Sequence, residues 1–175
     1  MSAMHPVDLH GAVRRKDRAI TDRAEIDAIL HEGKVLHLAM SHHDRPFLVP
    51  LFYAYDGEAI YFHSASQGTK IAILKENPQV CFEVSLNHGV IPDAKACDFE
   101  ARHRTAIGMG RAVFIDDPAE KTRALDAIVS RFTEKKFAYP EPSLAQVTVI
   151  RIEIESIKGK KHGAPDEGES LLTIA

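Results

Sequence analysis

Two alternating apolar runs, FLVPLFYAY (47–55) and AIYFHS (59–64), flank the dipeptide Asp56-Gly57. Asp-Gly reaches left-handed backbone at low cost, so the spacing predicts an antiparallel hairpin. A parallel pair would need a crossover of about a dozen residues or more at this point. Pro50 sits inside the first run and cannot donate to a ladder. It places that strand at a sheet edge, at a bulge, or where a ligand approaches the backbone.

The rest of the chain continues this pattern. Asp22 followed by Glu25 has the form of a capping box, with Ile26, Ile29 and Leu30 on one face and Gly33 as the stop, and it predicts a short helix. VLHLAMS (35–41) reads as a strand, HHDRP as a turn, residues 67–77 as a short helix ending at Asn77-Pro78, and QVCFEVS (79–85) as a strand with Cys81 buried. NHGVIPDAKACD (87–98) has turn chemistry and reads as a loop. In FEARHRTAIGMGRAVFI (99–115), Gly108 and Gly110 mark a bulge or a close backbone contact in a long strand. Asp117-Pro118 opens a further helix whose apolar stripe is Leu125, Ile128, Val129 and Phe132. QVTVIRIEIESI (146–157) alternates as a half-exposed strand, and GAPDEGES near the end reads as loose. About six strands joined mostly by turns, with helices only at connections, predict a mainly β chain, an antiparallel barrel with a few short helices. A doubly wound sheet would need more crossover helices.

Composition narrows the function classes. The 175 residues suit one domain with a real core, and 22 Lys and Arg against 25 Asp and Glu give a net charge of −3. Nothing global favours nucleic acid or an anionic membrane surface, and the basic run VRRKDR (13–18) reads as a solvated arm. Two cysteines, Cys81 and Cys97, form no CxxC and no disulfide framework, which suits a reducing compartment. No signal peptide and no run of roughly 18 to 20 apolar residues is evident, so the expected location is cytoplasmic. His42-His43 is read as turn surface, since no third ligand has recognisable spacing, and no metal site is assigned. Glu83 faces inward or outward by alternation, and the sequence does not say which.

Between the AIYFHS strand and the following helix, Ser64, Ser66, Gly68, Thr69 and Lys70 crowd into seven residues. A helix start with Gly68 allowing close approach offers free N–H groups and the positive end of the dipole to an anion, and Lys70 adds a point charge. The plainer alternative is that Ser66 or Thr69 caps the helix while Lys70 is solvated. His63, next to this junction, is either a proton donor to a bound substrate or a strand histidine satisfied by a neighbour.

Four segments in this order, RRKDRAI (14–20), VPLFYAYDGEAIYFHSASQGTKIAILKENPQVCFEV (49–84), RHRTAIGMGRAVFI (102–115) and RIEIESIKGKKHG (151–163), resemble the pyridoxamine-phosphate-oxidase-like flavin-binding split barrels. Within them the nitroimidazole-resistance, nitroreductase-type subgroup is the most similar. The resemblance covers about residues 13–163 and rests on the order and spacing of all four segments. It implies an antiparallel split β-barrel, a homodimer, and FMN held at the subunit interface. It places the flavin ring against the backbone of Val49, Pro50, Leu51 and Phe52, and the ribityl and phosphate against His63, Ser64 and the helix start at Gly68, Thr69 and Lys70. Arg104 and Thr105 would approach from the partner subunit. Relatives often read Tyr-Arg-Ser where this chain has His103-Arg104-Thr105, which keeps a hydroxyl but puts an aromatic role at position 103 in doubt. A Cys-Ser-Trp type run seen in some relatives is represented only by Cys97, and the chain has no Trp.

The expected organisation is an N-terminal arm (1–20), an FMN-binding split-barrel domain (21–160) and a loose tail (161–175). The expected function is that of an FMN-dependent oxidoreductase with His63 as its catalytic residue, a small-molecule acceptor such as a nitro compound, and reduced pyridine nucleotide as a candidate electron source. Fold resemblance does not carry substrate identity. A haem-binding or haem-degrading split barrel and a non-catalytic flavin carrier are the alternatives.

Overall fold

In the computed structural model, which describes residues 8–163, a short strand β1 (Ala19–Ile20) leads into helix α1 (Arg23–Glu32). The Asp22 carboxylate accepts from the Ala24 N–H at 2.9 Å, and the Gly33 N–H closes the last turn on the Ile29 carbonyl. Only half of the anticipated capping box forms, because Glu25 turns away to Lys161, 3.0 Å distant. Ile26, Ile29 and Leu30 are buried, as their spacing predicts.

Strands β2 (Val35–His42) and β3 (Arg45–Phe52) form a hairpin whose two turn residues, His43 (φ 48°) and Asp44 (φ 60°), are both left-handed. After Tyr53 come β4 (Ala54–Tyr55) and β5 (Ala59–Ala65), joined around Asp56-Gly57 as expected, but the single strand expected over 47–55 breaks at Tyr53: its first part pairs with β2 and only Ala54 and Tyr55 pair with β5. Helix α2 (Thr69–Glu76) precedes β6 (Gln79–Ile91) and β7 (Glu100–Ile115), and helices α3 (Pro118–Ser130) and α4 (Glu141–Gln146) lead to β8 (Val147–His162). Every pairing is antiparallel, in the order β3-β2-β6-β7-β8-β5-β4, with β1 added to the far half of β8.

That order explains the barrel. β3 and β4 occupy opposite ends of the strand order, yet a single residue, Tyr53, joins them. Two Cα steps of about 3.8 Å cannot span a flat sheet, so the sheet curls until its ends meet, without a ladder between them. Tyr53 is fully buried at this split, its hydroxyl donates to the Leu30 carbonyl at 2.7 Å, and burial pushes its pKa up to about 12. Leu36, Leu38, Phe62, Phe82, Ile150 and Ile152 fill the interior, and a smaller cluster of Leu125, Ala124, Ile115 and Val149 seats α3.

Gly108 lies directly across from Phe82 on β6, and a Cβ there would stand 2.2 Å from the Phe82 Cζ. The glycine marks a close contact inside the barrel, as its position in a strand suggested. Gly108→Ala should therefore destabilise the chain by about 1–3 kcal/mol through overpacking. In urea the midpoint should fall with the slope unchanged. An unmoved midpoint would show that the Phe82 ring can yield.

Several expectations are corrected. Residues 87–91 are not loop: β6 runs on to Ile91 across a bulge between Asn87 and Val90, because β7 opposite is long enough to pair with it. Between α3 and β8 the chain forms the short helix α4, which no periodicity signalled. Phe132 lies beyond the end of α3 and is exposed, its ring tilted against Phe52 at 4.7 Å. Cys81 is half-buried on the outer face, where burial pushes its thiol pKa up. β8 continues through Lys161 and His162, so the boundary drawn at 160 falls inside a strand, and residues 164–175 lie outside the described ones. Part of the arm is docked: Lys158 Nζ donates to the carbonyls of Leu9 and Gly11. No helix among the described residues is long and apolar enough to cross a membrane.

Candidate functional site

Helix α2 begins without a side-chain cap. Its N-cap is Gly68, at φ 122° and ψ 168°, a conformation open to glycine almost alone. A Cβ built on Gly68 would meet nothing within 4 Å, so the space before the helix start is open. Only the Ala72 N–H finds the Gly68 carbonyl in the first turn. Neither Ser66 nor Thr69 caps the helix, which removes the plainer reading of the junction and leaves N–H groups facing solvent at the positive end of the dipole.

Lys70 follows one residue into the helix, its Nζ 5.3 Å from the centre of the Phe62 ring. Burial lowers its pKa, with no acidic group among the described residues acting on it. His63 on β5 is held below the ordinary imidazole value first by burial and then by the charge of Lys70. Two groups that resist taking up or keeping a proton therefore stand next to an uncapped helix start. An anion there would satisfy the N–H groups and offset both effects. A phosphate fits these residues.

The remaining expected residues fall into three groups. Val49 and Leu51 turn inward against the core, while Pro50 and Phe52 alternate outward on β3, whose outer side carries no ladder. Pro50 thus lies on an edge strand, where its missing N–H costs nothing. Ser64, next to His63, points to the opposite face of β5 by strand alternation, so the pair can reach one ligand only with one side chain and one backbone group. Arg104 and Thr105 likewise lie on opposite faces of β7. The Arg104 guanidinium donates to Glu32 at 2.7 Å, at the end of α1, whereas Thr105 is buried on the outer side. The Thr105 hydroxyl is shared between Ser85 Oγ at 2.8 Å and His103 Nδ1 at 2.9 Å.

Thr105 belongs to a polar chain that the sequence did not reveal. His37 Nδ1 lies 3.0 Å from Glu83 Oε2, Ser85 donates to the other oxygen of Glu83, and Thr105 and His103 continue the chain across β2, β6 and β7. Glu83 therefore faces outward. Register across three strands creates the chain, and no local spacing signals it. Glu76 also stands beside His42 and His43, with one ligand atom from each of the three within 4.8 Å of the others, a juxtaposition that no sequence spacing signals.

An antiparallel barrel split at Tyr53, with an open helix start against its rim, defines the split-barrel fold. The chain belongs to the pyridoxamine 5'-phosphate oxidase family, whose sequence model matches residues 22–161. It is similar to a solved candidate 5-nitroimidazole antibiotic resistance protein from Bacteroides thetaiotaomicron, with 29% identity, 81% of this chain and 85% of that one covered, and a TM-score of 0.73. It is also similar to the flavocytochrome Anf3 from Azotobacter vinelandii, at 26% identity over 92% of this chain and 78% of that one, with a TM-score of 0.80. An uncharacterised Rhizobium meliloti protein is 30% identical over 66 residues, 38% of this chain and 43% of that protein's length.

Proposed function

We propose that this chain is an FMN-dependent oxidoreductase that works as a homodimer on a small-molecule acceptor. The observation that carries the reading is the uncapped start of α2, with Lys70 and His63 beside it and no acidic group among the described residues acting on Lys70. In this reading the N–H groups after Gly68, together with Lys70, hold the phosphate. The β3 backbone from Val49 to Phe52 lines the ring, and His63 holds a proton for the acceptor. When bound, FMN supplies the redox chemistry, taking electrons from a reduced donor and passing them to the acceptor. A reduced pyridine nucleotide is the proposed donor. A nitro compound is the first acceptor to try, on the likeness to the Bacteroides protein. The two free cysteines fit work in a reducing cytoplasm.

Two features of the single chain support the dimer. Leu48 and Phe52 are 60% and 58% exposed on the edge strand, and Val35 beside Phe52 and Phe132 against it extend the apolar patch. A second copy covering that patch would also close off the ring position along β3. Light scattering of the FMN-loaded protein should give twice the 19.4 kDa of one chain, and a monomeric mass at micromolar concentration would refute the dimer.

The cofactor is tested by the absorbance spectrum. Purified protein, or protein reconstituted with excess FMN and desalted, should retain a flavin spectrum. A colourless protein after reconstitution would end the flavin reading. Haem is the second reading, supported by the likeness to a flavocytochrome. It would appear as a Soret band, with or without flavin.

A further inference from the structure

The last residue of β2 and the first of the turn after it are consecutive histidines, and the fold brings them a carboxylate from 34 residues beyond the first. Glu76, the last residue of α2, sets its Oε2 2.9 Å from His42 Nε2. One ligand atom each from His42, His43 and Glu76 lies within 4.8 Å of the other two. In a strand, neighbouring side chains point to opposite faces. Here His43 has left the strand for left-handed backbone at φ 48°, and its ring comes edge-on to that of His42, centroids 4.2 Å apart.

The arrangement is braced by groups outside it. Asn77 Nδ2 donates to both the carbonyl and the hydroxyl of Ser41, each at 3.1 Å, and this clamps the end of α2 to the end of β2. The distance between Glu76 and the histidines is thereby set by neighbours and needs no ion to create it. Glu76 also sits at the negative end of the α2 dipole, a disfavoured place for a carboxylate, which a cation would correct. His42 and Glu76 are 42% and 61% exposed, so an ion can enter and water can complete its coordination without unfolding. Two imidazole nitrogens with one carboxylate oxygen form a donor set for zinc and its first-row neighbours. Calcium and magnesium prefer oxygen alone.

We propose that His42, His43 and Glu76 bind a zinc ion, its fourth position open to solvent, and that the ion pins the β2–β3 turn to the end of α2. The site is independent of the cofactor reading, since none of its ligands belongs to the proposed FMN contacts.

The test uses the full chain without an affinity tag, stripped with chelator and titrated with zinc chloride by calorimetry, with the melting temperature followed in parallel. Wild type should bind one zinc per chain and melt higher as zinc rises. Glu76→Gln should weaken zinc about tenfold or more. His43→Gly should hold or raise the melting temperature of the metal-free protein, because glycine accepts the left-handed turn freely, while abolishing the zinc-dependent rise. His37→Ala removes a histidine paired with Glu83 elsewhere and should keep zinc binding intact. Equal zinc binding by wild type and His43→Gly would overturn the proposal. So would wild-type binding weaker than about 1 mM.

Discussion

Lys70→Ala should weaken FMN by about 10- to 150-fold while leaving riboflavin almost unaffected, since a charge-assisted hydrogen bond contributes roughly 1.5–3 kcal/mol. Riboflavin keeps the ring and the ribityl chain and lacks only the phosphate, so the two ligands and two proteins form a closed cycle. Equal losses for both would show that Lys70 does not meet the phosphate. The stability of flavin-free protein should barely change, because a cation in the first turn of α2 is slightly disfavoured by the dipole. The same variant should raise the pKa of His63, whose depression comes first from burial and second from the Lys70 charge, so recovery toward 6.5 should be partial. The stability consequence has a definite sign. Folded His63 takes its proton at lower pH than the unfolded chain does, so the unfolded state binds more protons in that window. Stability is therefore lost as pH falls through the ordinary imidazole value and levels off below the folded one. Lys70→Ala narrows that window.

His63→Ala should keep flavin and lose about 100-fold or more in turnover with an electron acceptor, the usual size of a lost general acid. Burial and the Lys70 charge lower the His63 pKa, and among the described residues no side-chain hydrogen bond engages its ring. A histidine with a depressed pKa resists protonation but, once protonated, gives its proton up readily. Flavin content read by absorbance separates the possible roles. Flavin lost together with activity would make His63 a cofactor contact, and unchanged activity would leave it a plain strand residue. A flavin-replete wild type with no turnover under any reductant would point to a carrier.

The local signals in the sequence were reliable where one residue suffices. Asp22 caps α1, Asp56-Gly57 turns a hairpin, Pro50 lies on an edge strand, and Gly108 marks a contact. Each follows from backbone chemistry carried by the residue itself. The misses depend on partners far along the chain. Asn87 to Ile91 look like loop because their turn-forming residues mask a strand that exists through its pairing with β7. Phe132 fits the helix period but lies past the last turn, where it meets Phe52. The site shows the same division. Gly68 and Lys70 were legible as a helix start, but that Arg104 and Thr105 occupy opposite faces, one engaged by Glu32 and the other by Ser85, follows only from register and packing.

The position of β8 dictates an order of events in biosynthesis. Among the described residues it is the last strand made, yet it lies between β7 and β5 and also receives β1, Ala19–Ile20, the first strand made. Until residues 147–162 emerge, the β3-β2-β6-β7 half has an open edge at β7, and the β4-β5 hairpin has no sheet to join. The nascent chain must carry that unpaired 16-residue edge from the completion of β7 at Ile115 until β8 has been made. Such an edge is a template for pairing with a neighbouring chain on the same message. Barrel closure is thus a late step, dominated by contacts of long sequence separation and correspondingly slow. A stop codon before residue 147 would yield no smaller version of this fold, only two sticky fragments on one chain.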